Sequence, residues 1–364
     1  MPGGREPAIR CRRLGRVARA LILGGTGMIG RAIGSRLLAG GWDVDLAGRD
    51  RGKMPAGLAT VGAGFLAVDR GDDAQLRAAV GAGADLLVDC VCYTAADATR
   101  LLPLLPDAGS AVMISSKAVY VDADGNHVNS DTPPHFDGPI SESQPTMAPS
   151  DIDYQTREGY GANKVAAEHV LLDSGHPVTV LRPSKVHGPA SPQPREWMFV
   201  RRVLDQRPVV LLAHRGAGID HTSAAANIAA LVETVAAGPG RRILNSADPD
   251  APSALGISRA IAAHLGHHWD EVLLDDDADP ALGAHLWDAK YPIVLDMTAA
   301  AELGYTPAGD YATTVAQAVD WLVSAARGGH GAALLPGPDD PFFGPLLDYP
   351  AEDRYLAGRV PPGG

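Results

Sequence analysis

In the stretch Gly-Tyr-Gly-Ala-Asn-Lys (159–164), Tyr160 and Lys164 stand four positions apart. On a helix that spacing puts a phenol and an ammonium on one face, one turn apart. A free phenol ionises only near pH ~10, and a neighbouring cation favours the phenolate and pulls that value down. Such a pair can give or take the proton of a carbinol or carbonyl oxygen. Without context it is equally an ordinary couple on a helix surface. Composition sharpens the choice. Of 31 Lys+Arg residues only five are lysine: Lys53, Lys117, Lys164, Lys185 and Lys290. A chain that uses arginine for nearly every positive charge has reason to place a compact ammonium at 164. Upstream, Ile-Ser-Ser-Lys-Ala-Val-Tyr (114–120) offers two hydroxyls, Ser115 and Ser116.

A second group of residues suits phosphate. Leu-Ile-Leu-Gly-Gly-Thr-Gly-Met-Ile-Gly (21–30) sets Gly24, Gly25, Gly27 and Gly30 between an apolar run and a helical pattern. Glycines at this junction give a tight turn, close backbone approach to a pyrophosphate, and close packing of helix on strand. The N–H groups at the helix start then face the phosphates, which adds Thr26, Met28 and Ile29 to the expected cofactor-binding residues. The end of the second strand discriminates between nicotinamide dinucleotides. An acidic residue there would bind the ribose hydroxyl of NAD. Asp45 lies too early, inside the strand, and the end reads Ala47-Gly48-Arg49-Asp50. Arg49 can pair with a 2′-phosphate, so NADP is the expected cofactor. NAD is the alternative, and Asp50 the residue that would favour it. Asp69, closing the third strand, can reach the adenine amino group or simply hold a turn. Cys90, Val91 and Cys92 close the fourth, as small side chains past which a cofactor can lie. Cys-x-Cys without a second ligand pair is not read as a metal site, and no metal is expected.

These residues need a scaffold, and the hydrophobic pattern supplies one. Apolar runs at Arg19–Leu23, 42–49, 65–69, 85–93, 110–116 and 178–183 read as strands, with helical patterns between most of them, as at 28–39 and 73–83. Alternation of this kind implies an α/β fold of the Rossmann type, a doubly wound parallel sheet with helices on both faces. Segment 121–153, rich in Asp, Pro, Ser and Gly, has no period and reads as a long functional or poorly ordered connection. A strong helix carrying Tyr160 and Lys164 follows. The expected division is a disordered basic leader over 1–17; a dinucleotide-binding domain over 18–183 plus about 220–248; a smaller α/β substrate lobe over 184–219 plus 249–326; and a Gly/Pro-rich tail over 327–364.

Taken in order, the glycine turn, Ile-Ser-Ser-Lys-Ala-Val-Tyr and Tyr-Gly-Ala-Asn-Lys resemble the extended short-chain dehydrogenase/reductases, the group that includes the NAD-dependent epimerase/dehydratase family. The likeness continues through Ser-Glu-Ser-Gln-Pro (141–145), Val-Thr-Val-Leu-Arg-Pro (178–183), Gly-Ile-Asp-His-Thr (218–222) and Leu-Gly-Tyr-Thr-Pro (303–307), and covers roughly 18–325. It implies that Tyr160 is the general acid/base, that Lys164 also bonds the nicotinamide ribose, and that Ser116, with Ser115 its close rival, bonds the substrate oxygen. It also sets Pro183 at the cofactor and implies pairing of two copies through the Tyr-x-x-x-Lys helix. Departures narrow the chemistry. Lys117-Ala118 follow Ser116 where sugar-nucleotide dehydratases carry Asp-Glu, which argues against 4,6-dehydration. Lys185 stands where nucleotide-sugar enzymes carry asparagine, and Arg215 is the nearest counterpart of their diphosphate-binding arginine. The expected activity is hydride transfer between NADP(H) and a carbonyl or carbinol carbon of a small polar metabolite, with Tyr93, His187 and Trp197 as pocket residues. The alternatives are a sugar or nucleotide-sugar epimerase and a non-catalytic nucleotide- or RNA-binding relative.

The bulk numbers bound these readings. A net charge of -12 argues against a general nucleic-acid binder, which needs a broad basic surface. Three cysteines, Cys11, Cys90 and Cys92, form no disulfide framework and suit a reducing cytoplasm. No apolar run is long enough to span a bilayer, so the expected partners are a small molecule and neither membrane nor nucleic acid. His264 and His268 share a helical face, as zinc ligands can, but a polar helix end is the simpler reading.

Overall fold

The computed structural model describes residues 16–329, 331–337 and 339–359. The basic leader expected at 1–17 falls almost wholly outside them, and Cys11 with it. The strands are β1 (Arg19–Leu23), β2 (Asp43–Gly48), β3 (Gly64–Ala67), β4 (Leu86–Asp89), β5 (Ala111–Ile114), β6 (Val178–Pro183), β7 (Lys185–His187), β8 (Val209–Leu212), β9 (Thr222–Ala224), β10 (Arg242–Ser246) and β11 (Asp270–Leu273). The helices are α1 (Met28–Ala39), α2 (Ala56–Thr60), α3 (Asp73–Val80), α4 (Ala95–Leu101), α5 (Arg157–Leu172), α6 (Trp197–Leu204), α7 (Ala225–Ala237), α8 (Ala254–His264), α9 (Thr298–Glu302), α10 (Tyr311–Ala326) and α11 (Tyr349–Arg359).

Seven strands form one sheet in the order β10-β6-β5-β4-β1-β2-β3, and every pairing is parallel. Alternation along each strand explains its two faces. Leu21, Leu23, Leu87, Met113 and Val180 point to one side, onto Leu76 of α3, Ala98 of α4 and Ala167 and Leu171 of α5. Ala20, Ile22, Val88, Val112 and Leu181 point to the other, onto Ile33 and Leu37 of α1 and Ile228, Leu231 and Val232 of α7. The strand order reverses between β1 and β4, where a doubly wound sheet opens a crevice at its C-terminal edge.

A further core gathers Trp197, Phe199, Ile257, Trp287, Tyr311 and Val319 around α6, α8 and α10. The chain beyond Arg327 docks on it: Phe343 is buried there, and Glu352 of α11 makes a buried ion pair with Arg202 of α6. An arginine buried on α6 requires such a partner, and this holds the Gly/Pro-rich end in place. Segment 121–153 has no helix or strand, but it is tied down. The Asp122 carboxylate accepts the N–H groups of Asp124, Asn126 and His135, and Ile140 bridges to Leu295. One buried carboxylate serving several backbone donors lets an aperiodic segment hold a fixed path.

Candidate active site

The glycine turn is a surface for close approach. Gly24 is left-handed (φ 73°), and a Cβ there would meet Val91 and Cys90 across the crevice. At Gly25 a Cβ would lie 2.8 Å from Leu46 and 2.9 Å from the Ile22 carbonyl, and at Gly30 it would strike the turn itself. Gly27 opens α1 with no side-chain cap and no acidic residue in the first turn. Its N-terminal N–H groups and positive dipole end are left for an anion. Thr26, Met28 and Ile29 lie partly open beside it. Burial next to Asp89 pushes the Cys90 and Cys92 thiols far up, so neither is a ready metal ligand.

At the adenosine end, Arg49 is exposed and makes no hydrogen bond or ion pair among the described residues. The Asp50 carboxylate accepts the Gly52 N–H at 2.8 Å and so caps its own turn. Arg31 of α1 donates to the carbonyls of Thr26 (2.6 Å) and Lys53 (3.2 Å), while Arg51 lies over Phe65. Asp69 is exposed and accepts the Gly71 N–H. The buried carboxylate nearby is Asp89, held by Arg70, which also binds Asp97; the sequence reading did not single these out. A nicotinamide dinucleotide fits this set, with an uncapped helix start for its pyrophosphate and a free guanidinium at its far end.

Tyr160 and Lys164 share one face of α5. Thr156 caps the helix through the Gly159 N–H, and both glycines flanking Tyr160 are needed: a Cβ at 159 would strike the Asp153 carbonyl, and one at 161 the Ala118 carbonyl. That contact sets Tyr160 beside Ser116. The next hydroxyl back behaves differently: Ser115 is buried and donates to Glu168 at 2.5 Å. Lys164 is 2% exposed. Its ammonium donates to the carbonyls of Cys92 (2.7 Å) and Ile114 (3.0 Å), 4.4 Å from the Tyr93 ring centroid and 6.0 Å from that of Tyr160. An ammonium has three donors, so one N–H remains uncommitted.

The electrostatics differ from expectation. Burial pushes the Tyr160 phenol up, and the Ser116 bond offsets this only in part. Burial likewise pushes Lys164 down. For the phenol, loss of solvent outweighs its hydrogen bond, and the Lys164 ammonium lies 6.0 Å from the ring centroid.

Sequence reasoning missed Glu168, which is 1% exposed and pairs with Arg182 of β6. Arg182 lies over Tyr120, whose hydroxyl donates to Asn245 of β10 at 2.7 Å. The signal was present: Tyr160, Lys164 and Glu168 continue one i,i+4 stripe. Other expected residues scatter. Tyr93 stacks on Tyr154 beside Lys164. His187 is buried, with Nε2 3.0 Å from Asp248 and its ring against Tyr311. Trp197 is 2% exposed within the core of α6, α8 and α10 and offers no surface to a ligand. Pro183 is buried at the end of β6, paired in register with Ser246. Arg215 forms an exposed pair with Asp275. His264 turns to Asp320 and His267 to the Arg207 carbonyl.

Comparison with known proteins places this geometry. A model of the NAD dependent epimerase/dehydratase family matches residues 20–237. No curated protein sequence matches. Among solved structures, a dTDP-glucose 4,6-dehydratase from Bacillus anthracis in complex with NAD is 15% identical with a TM-score of 0.65, covering 88% of this chain and 100% of the other. A Thermus thermophilus UDP-glucose 4-epimerase complex with NAD is 19% identical (TM-score 0.60; 84% and 99% covered). A putative epimerase from Burkholderia cenocepacia is 21% identical (TM-score 0.64; 85% and 99% covered). At these identities the likeness is one of fold.

Proposed function

Because the chain belongs to the NAD dependent epimerase/dehydratase family, enzymes of the short-chain dehydrogenase/reductase type, we propose that it is an NADP(H)-dependent oxidoreductase acting on a carbonyl or carbinol carbon of a small polar metabolite, with Ser116, Tyr160 and Lys164 as catalytic residues. The observation that carries this reading is the meeting of Tyr160 with Ser116 above a buried Lys164 ammonium. NAD(P) supplies the hydride acceptor or donor. Tyr160 holds the proton at its phenol oxygen, giving it to a substrate oxygen in reduction and taking it in oxidation. Ser116 orients that oxygen, and Lys164 offers its remaining N–H to the cofactor ribose. A phenol raised by burial is protonated at neutral pH, so the centre stands as a general acid, the form that reduction requires. The free Arg49 guanidinium, with Arg31, Arg51 and Lys53 around the same turn, supports NADP over NAD, as does the engagement of Asp50 in its own turn.

The test is Tyr160→Phe. Net consumption of NADPH, followed by the near-ultraviolet absorbance of the reduced nicotinamide, should fall about 100- to 10,000-fold, while NADPH affinity measured by fluorescence stays unchanged. Full activity in the variant would sink the proposal. Turnover of an added sugar with no net change in cofactor would instead identify an epimerase.

A further inference from the structure

Three cations converge beside Ser116 that the hydride-transfer centre does not use. Lys117 follows Ser116 directly, Lys185 opens β7, and Arg195 precedes α6. Both lysines reach one carboxylate: Lys117 pairs with Asp220 Oδ1, and Lys185 lies 3.1 Å from Asp220 Oδ2. Lys117 is 6% and Asp220 8% exposed, whereas Lys185 keeps 23% of its side chain open. Arg195 has no ion pair among the described residues. Its guanidinium donates to two neutral oxygens, the Val186 carbonyl (3.4 Å) and Gln193 Oε1 (3.1 Å). Among the described residues, the other carboxylate that acts on Lys185 and Arg195 is the buried Glu196. Two histidines near the lysines, His221 and His285, are pushed below their usual range by burial and add no charge at neutral pH.

The cluster is therefore short of negative charge. Burial first, and then repulsion from the neighbouring cations, pushes Lys117 and Lys185 down, and an anion seated among them would offset both. Three cations share two carboxylates, Asp220 and Glu196, and a buried surplus of positive charge is costly unless something pairs with it. A packing role would be met by apolar residues, and this chain spends lysine sparingly. Two of its five lysines, Lys117 and Lys185, nonetheless meet at the one Asp220 carboxylate.

We propose that Lys117, Lys185 and Arg195 bind an anionic group of the substrate, a carboxylate or a phosphate, beside the carbon that faces Tyr160. The role in substrate binding rests on the Ser116–Tyr160–Lys164 reading; binding of the anion can be measured without turnover. Inorganic phosphate and, separately, malonate are titrated calorimetrically into the full chain saturated with NADP+, with a parallel arm in NAD+, at constant ionic strength and with chloride as control. One of the two anions should bind with one-to-one stoichiometry. Tighter phosphate binding assigns a phosphoryl group, and tighter malonate binding a carboxylate. Lys185→Asn and Arg195→Gln should each weaken it about 10-fold or more, the effect of losing one charge-assisted bond, with cofactor affinity and Tm preserved. Lys117→Gln should act in the same direction; as a buried change it can cost folding, so the other two variants decide. Equal binding by wild type and both variants, or no binding tighter than about 10 mM in the wild type, overturns the proposal. Tyr160→Phe should keep the anion site, so an error in the catalytic reading and an error here give different results.

Discussion

The two ends of the crevice are built from different materials. At the cofactor end the surface is backbone: glycines against Leu46 and Val91, an uncapped start of α1, and strand ends with small side chains. At the end proposed for the substrate it is side chains, with Ser116 and Lys117, Tyr160, Lys185, Arg195 and Asp220 drawn from five separate stretches of chain. The first kind of site is fixed by what is missing, a Cβ or a cap. The second is fixed by what each side chain is tied to. A backbone site therefore tolerates drift elsewhere in the chain, whereas a side-chain site depends on wiring that lies well outside it.

Glu168→Ala tests that dependence hardest. It leaves Arg182 buried without its carboxylate and Ser115 without its acceptor. Loss of one partner of a buried pair costs about 3–5 kcal/mol, which urea unfolding would register as a lower midpoint. An unchanged midpoint would mean that α5 is held in place by packing alone. Gly25→Val probes the backbone end, where the new side chain must displace Leu46. Overpacking of this kind costs about 1–3 kcal/mol, and NADPH titration should show cofactor affinity lost before the fold is. Retained affinity would show that this glycine matters only to the turn. Smallest is Arg49→Gln, expected to weaken NADP+ about 10-fold by loss of a charge-assisted bond while NAD+ binding stays the same. Equal losses for both cofactors would remove Arg49 from the 2′-phosphate.

What could be read in advance follows the same division. The spacing of Tyr160 and Lys164, the glycine turn, and the apolar run Ala20–Leu23 are local patterns, and the structure carries each on the element that the pattern implies. The difference between Ser115 and Ser116 was not local. It depends on which hydroxyl meets Glu168, 53 residues away. Trp197 resembled a pocket residue by position in the chain, but α6 turns it into the core. The direction of the Tyr160 shift also went against the spacing, because spacing counts the nearby cation and not the water removed from the phenol.

By itself, the sequence determined the strand–helix alternation, the glycine turn between β1 and α1, and the helix face that carries Tyr160 and Lys164. Each depends on neighbours within a few residues, where the periods of strand and helix dictate direction. Only the tertiary structure decided that Gly161 must lie against the Ala118 carbonyl, that Lys164 would spend two donors on Cys92 and Ile114, and that Lys117 and Lys185 would share Asp220. Those outcomes turn on burial and on contacts between distant segments, and no local period encodes how much solvent a charge will keep once the chain has closed around it.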